Sequence, residues 1–83
     1  MTRAEIYDAI SLERVHHRAM WDRKHPWGEG DCSSLDVPET VKAVVLGEKC
    51  GEVARAVLER DDDALIRELV QVAAVCVAWL EAL

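Results

Sequence analysis

The chain has 83 residues, 51% of them hydrophobic, and a formal net charge of −6. That length allows one small domain, 1–83, whose own core is only marginally stabilising. The acidic balance excludes a general nucleic-acid binder, because a phosphate backbone would be repelled. Phe is absent, and Ala, Val, Leu and Glu dominate, a composition that favours an all-α fold. So apolar a short helical chain is expected to bury its excess against copies of itself, as a homodimer or dimer-of-dimers.

Cys32, Cys50 and Cys76 are odd in number and lack CxxC spacing, and residues 1–20 carry charges throughout with no signal-like apolar run. The expectation is reduced thiols in a cytoplasmic protein. Between Leu69 and Leu80 the only polar residue is Gln71, but such a run is too short to span a bilayer. It reads as a buried helix, and no membrane partner is expected.

The pattern predicts three helices and one long connection. Thr2 and Glu5 fit a capping box opening a helix over about 3–24, with Ile6, Ile10, Glu13, His17, Met20 and Trp21 near one stripe. His25-Pro26 should end it, since proline disfavours helical geometry in the preceding residue. Residues 25–37 gather Pro26, Gly28, Gly30, Asp31, Ser33 and Ser34, the mark of a loop. A second helix is expected over about 38–60, with Asp36 as N-cap, Glu39 closing the box and Pro38 in the first turn. Asp61-Asp62-Asp63 then marks a tight joint to a third helix over about 62–82, with acids suited to its positive end. A short joint makes helices two and three an antiparallel hairpin.

On a helical wheel, Leu46, Cys50, Val53 and Val57 form an apolar face of the second helix. The opposite stripe carries Val41, Val44, Val45, Glu48, Glu52, Arg55 and Glu59. On the third helix, Glu68, Gln71, Val72, Val75 and Trp79 share a stripe. Antiparallel packing would bring Glu68 towards Glu52 or Glu48. Carboxylates converging from two helices form an oxygen-rich site for Mg²⁺ or Mn²⁺. The plainer alternative is a solvated face in which these acids pair with Arg55 and Lys49.

Residues 45–56 (VLGEKCGEVARA), 67–75 (RELVQVAAV) and 78–82 (AWLEA) together resemble the MazG-like branch of the all-α nucleotide pyrophosphohydrolases, in particular its short phage and actinobacterial members. The resemblance covers roughly residues 41–83, with fainter echoes at Glu13-Arg14 and in 24–29 (KHPWGE). It implies a three-helix subunit completed by oligomerisation and a Mg²⁺-dependent hydrolase that splits a nucleoside triphosphate into monophosphate and pyrophosphate. The family's acidic pattern is EExxE followed by ExxD. Glu48 matches its first glutamate, Glu52 its last, and Glu68 the glutamate of the second motif, so these three would hold the ion. One of them, or Glu59, would act as base. Lys49 stands where the second glutamate is expected and Gln71 where the aspartate is. Gln71 retains an amide oxygen that can ligate, whereas Lys49 changes the local charge by two units. The chain is therefore either a hydrolase in which Lys49 serves as a phosphate ligand, or a degenerate member that binds a nucleotide or another protein without turnover. Arg55, Arg67 and Lys42 are further candidates for phosphate oxygens.

Trp27, in the Pro-Trp-Gly loop, is the candidate for stacking on a base, while Trp79 reads as core and Trp21 lies between. His16, His17 and His25 with Asp31 and Cys32 have no zinc-finger spacing.

Overall fold

The computed structural model describes Met1–Leu83 and consists of three long helices with a short β-hairpin between the first two. Helix α1 spans Arg3–Trp21, strands β1 and β2 span Lys24–His25 and Gly28–Glu29, and helices α2 and α3 span Glu39–Leu58 and Asp62–Glu81. The fold is all-α in class. Helix α3 is the central element. Both α1 and α2 pack on it, and not on each other, which leaves an opening between them.

Local chemistry sets most of the boundaries. The Thr2–Glu5 capping box forms in both directions, at 3.0 and 3.2 Å. Asp61 caps α3 by accepting from the Ala64 amide at 3.0 Å, with Asp62 and Asp63 in the first turn. Arg60, at φ 53°, makes the reversal in the three-residue joint between two 20-residue helices, so α2 and α3 run antiparallel.

Three local expectations are corrected. Helix α1 stops at Trp21, because the His25 imidazole folds back onto the Trp21 carbonyl (3.0 Å) and helps satisfy the helix end. The segment beyond it is an ordered hairpin in which Lys24 faces Glu29 and His25 faces Gly28. Helix α2 begins after Pro38, which has no side-chain cap. Asp36 is occupied elsewhere, accepting from the Glu29 amide at 2.6 Å, and this tertiary bond outcompetes the capping role.

The packed face of α2 is also rotated from the predicted one. Ala56 and Lys42 are buried, whereas Val57 and Cys50 are exposed. The turn glycines are specific. Gly28 has φ +135°, and a Cβ there would lie 2.6 Å from the Asp36 carbonyl oxygen. Gly30 has φ +103° and would meet Ser34 Cβ at 2.8 Å. Neither position admits a side chain without strain.

The core is thin. Its buried hydrophobic residues are Val37, Ala56, Ala74, Val75 and Ala78, all small. Leu12, Val44, Leu58, Leu69 and Leu80 are each at least half exposed. No helix is long and apolar enough to cross a membrane.

Candidate functional site

The opening between α1 and α2 is a cleft of about 310 Å³, floored by Gln71, Val75 and Ala78 of α3. Glu13, His17, Met20 and Trp21 of α1 form one wall, and Val45, Glu48 and Lys49 of α2 form the other. The loop closes the end with Trp27, Gly30, Asp31 and Cys32. Trp27 is 43% exposed and stacks on the buried His25 ring, with centroids 5.0 Å apart and planes within 3°. The hairpin thus presents a braced indole face at the cleft. That is how a loop tryptophan becomes a stacking platform rather than a mobile side chain.

A buried ion network holds the loop in place. Arg14, only 6% exposed, donates to Asp31 at 2.9 Å and to Glu81 at 3.1 Å. Asp31 also accepts from the amide and hydroxyl of Ser33. Burial opposes ionisation of Asp31, but the Ser33 and Arg14 hydrogen bonds prevail and hold its carboxyl below the usual range. Burial likewise opposes charge on Arg14, and the Glu81 and Asp31 bonds raise its guanidinium pKa despite it.

The predicted site residues fall into two adjoining groups. Glu48, Lys49, Gln71 and Trp27 line the cleft. Glu52 and Glu68 meet across the α2–α3 interface beside it. Lys49 joins the two groups, with its Nζ 3.6 Å from Glu52 Oε2. Two ionised carboxylates cannot hydrogen-bond to each other, and Glu68 Oε2, sealed from solvent, has no partner. Burial and then the Glu52 contact push the Glu68 carboxyl up, against the pull of Lys49 and Arg67. The Glu68 contact draws Glu52 down, helped by Lys49 and Arg55. The two carboxyls therefore titrate as a pair in which Glu68 takes the proton first.

Glu48 is exposed on its turn, and no group of three or more His, Cys, Asp or Glu side chains is gathered closely enough to hold a metal ion. The distal candidates lie outside the cleft. Arg55 pairs with Glu59 at 2.9 Å on the surface, Arg67 is exposed, and Lys42 is buried at 3% exposure. Trp79 is half-buried, its Nε1 sealed and without a partner.

Among the cleft residues outside the predicted site are Glu13, Arg14, His17 and Met20 of α1. Three of them share the α1 stripe with Trp21, a visible signal that a whole helix face served the cleft. Arg14 gave no such sign, because its partners Asp31 and Glu81 lie 17 and 67 residues away. His17 Nε2 lies 3.2 Å from Glu13 Oε1. Burial keeps the imidazole pKa low, with Arg14 and Lys49 also opposing its protonation and Glu13 and Asp31 favouring it.

No family model matches the chain, and neither a search of curated proteins nor one of solved structures finds a match.

Proposed function

We propose that the chain is a MazG-like nucleotide-binding protein whose cleft takes a nucleoside triphosphate, and that its reaction is pyrophosphohydrolysis supported by Mg²⁺ or Mn²⁺. One observation carries this reading. Glu52 and Glu68 converge from two helices with a sealed, unpartnered carboxylate oxygen, directly beside an aromatic-walled cleft. Such an arrangement is unfavourable in itself, and a divalent cation would relieve it.

The donor set suits a hard cation, since it offers only oxygen ligands. Glu52 and Glu68 would hold the ion, with Glu48 one turn earlier on α2 and Gln71 one turn later on α3 as adjoining ligands. When bound, the ion would polarise a phosphate and lower the pKa of an attacking water. The chain's own residues then have distinct tasks. Trp27 and Trp21 flank the base end of the cleft, and Lys49 stands at the phosphate end. Arg67 and Arg55 bias the acidic pair towards its ionised form from outside.

The Lys49–Glu52 contact at 3.6 Å favours a second reading, in which the ammonium takes the cation's place and the protein binds a nucleotide without turnover. Pyrophosphate release from a panel of ribo- and deoxyribonucleoside triphosphates, with Mg²⁺ or Mn²⁺, separates the two. Turnover supports the hydrolase. Nucleotide binding by calorimetry without turnover supports the sequestering protein, and absence of both overturns the nucleotide reading.

Self-association belongs to the same proposal. The accessible surface is 5844 Å², whereas a compact monomer of this mass exposes about 5,000 Å². The excess is close to the roughly 800 Å² that each partner buries in a stable interface. Apolar Leu58, Leu69 and Leu80 on the outer faces of the α2–α3 hairpin make a second copy the natural cover, and sedimentation would give the mass. Three free cysteines suit a reducing cytoplasm.

A further inference from the structure

The charged groups of the cleft differ in how far their hydrogen-bonding capacity is used. Its two cations are already engaged: Arg14 with Asp31 and Glu81, and Lys49 with Glu52. Asp31 is saturated by Arg14 and Ser33. What remains on the α1 wall is the Glu13–His17 pair, with Glu13 Oε1 facing His17 Nε2 at 3.2 Å. A carboxylate can only accept, so with the hydrogen on Nε2 the imidazole faces Glu13 as a donor and its Nδ1 lone pair is left as an acceptor. Glu13 Oε2 makes no hydrogen bond within the chain and is a second acceptor. Burial lowers the imidazole pKa and so favours the neutral ring, which alone has an acceptor nitrogen. The α1 wall therefore offers acceptors at the Glu13–His17 pair, with the Trp21 indole N–H as its remaining donor.

Around this polar edge the cleft is apolar and flat-walled. Trp21, Trp27, Met20, Val45 and Val75 supply the surface, and about 310 Å³ is at the small end of small-molecule sites. That volume encloses a heterocycle and leaves charged extensions outside, towards Glu48 and Lys49. His25 fills the space between the Trp21 and Trp27 rings, so a planar ring would lie on the outer face of Trp27, with acceptors at its edge to read a base. Its chemistry selects a base by its N–H donors.

We propose that Glu13 and His17 determine base specificity, reading an edge with two adjacent N–H donors, as guanine presents with its ring N–H and exocyclic amine. Glu13 takes the donor pair as a charged acceptor, and His17 fixes the carboxylate's orientation. Bases that lack the adjacent amine leave an acceptor unfilled in a half-buried site, which is the costly half of a mismatch. This inference rests on the nucleotide reading above, since an empty cleft reads nothing.

The test is calorimetric binding of guanosine, inosine and uridine 5′-monophosphates to the full chain at pH 7.5. Guanine and hypoxanthine differ by the one exocyclic amine. Guanosine monophosphate should bind about tenfold or more tightly than inosine monophosphate, the discrimination expected of a bidentate base contact. Glu13→Gln replaces one acceptor oxygen with an amide donor and should bring that ratio to within about threefold, while the helical circular dichroism stays unchanged. The conservative His17→Asn should weaken the preference without reversing it. Binding of all three nucleotides with equal affinity overturns the specificity proposal and leaves the nucleotide reading standing. Binding of none overturns the specificity proposal, and the triphosphate panel with Mg²⁺ or Mn²⁺ then decides the nucleotide reading on its own. A preserved guanine preference in Glu13→Gln assigns the reading to another wall and overturns the role of Glu13.

Discussion

Two charged clusters flank the cleft, and they are built on opposite principles. At the loop end, Arg14 joins Asp31 and Glu81, so that a buried guanidinium meets two carboxylates with hydrogen bonds at 2.9 and 3.1 Å. At the hairpin end, Glu52 and Glu68 meet with like charge, and one sealed oxygen has no partner. The first cluster is what a fold does with charges it has to bury. The second leaves a sealed carboxylate oxygen unpaired, an arrangement that a fold does not gain stability from, and the proposed cation site rests on it.

The largest expected effect tests the first cluster. Arg14→Met should destabilise the protein by about 3 kcal/mol, since it strands the buried Asp31 carboxylate, while the half-exposed Glu81 can turn to solvent. Against the roughly 5–15 kcal/mol of a typical domain, this would leave a marginal fold in urea titration. A loss under about 1 kcal/mol would mean that the loop is held by its own turn bonds and not by Arg14.

Next in size is Lys49→Glu, which sharpens the second cluster. The change removes the Glu52 partner and adds a like charge, so it should cost about 1–2 kcal/mol in metal-free buffer. Millimolar Mg²⁺ should restore the melting temperature if the cluster is a cation site. Pyrophosphate release should rise in the variant if Lys49 displaces a metal ligand, and fall if Lys49 binds phosphate. No response to Mg²⁺ in either protein would remove the metal from the proposal.

The smallest effect has the opposite sign. Glu68→Gln should stabilise the protein by up to about 1 kcal/mol at pH 7, because it discharges a half-buried carboxylate whose sealed oxygen has no partner. The pH dependence follows from the raised Glu68 pKa. A carboxyl with a folded pKa above the ordinary 4.5 favours the folded state at pH values below 4.5. That contribution is lost as the pH rises through the folded value. The advantage of the variant should therefore shrink as the pH falls from 7 towards 4.5. Equal melting temperatures for variant and wild type across that range would show that Glu68 is comfortably solvated.

Much of the architecture was legible in local chemistry. The Thr2–Glu5 box and the Asp61 cap form as their spacing requires, because a cap involves neighbours within three residues and nothing more distant. Proximity of Glu68 to Glu52 followed from a short joint and helical periodicity. The rotation of α2 was not legible. Valines lie on both sides of that helix, so the wheel alone does not choose a face. Packing selects the one with small Ala56 and the long aliphatic stem of Lys42, leaving Val57 and Cys50 outside.

The sequence by itself determined three helices, two of them with side-chain caps, a loop punctuated by glycine and proline, and glutamates on two helices that pack together. These depend on short-range preferences and on periods of a few residues. Only the tertiary structure decided that α1 and α2 pack separately on α3 and so leave a cleft. It also decided that Asp36 serves the hairpin instead of α2, that Arg14 reaches across 67 residues to Glu81, and that Glu13 and His17 line the same cleft as Trp27. These outcomes depend on which distant groups compete for the same donor or the same space, and sequence spacing carries no record of that competition.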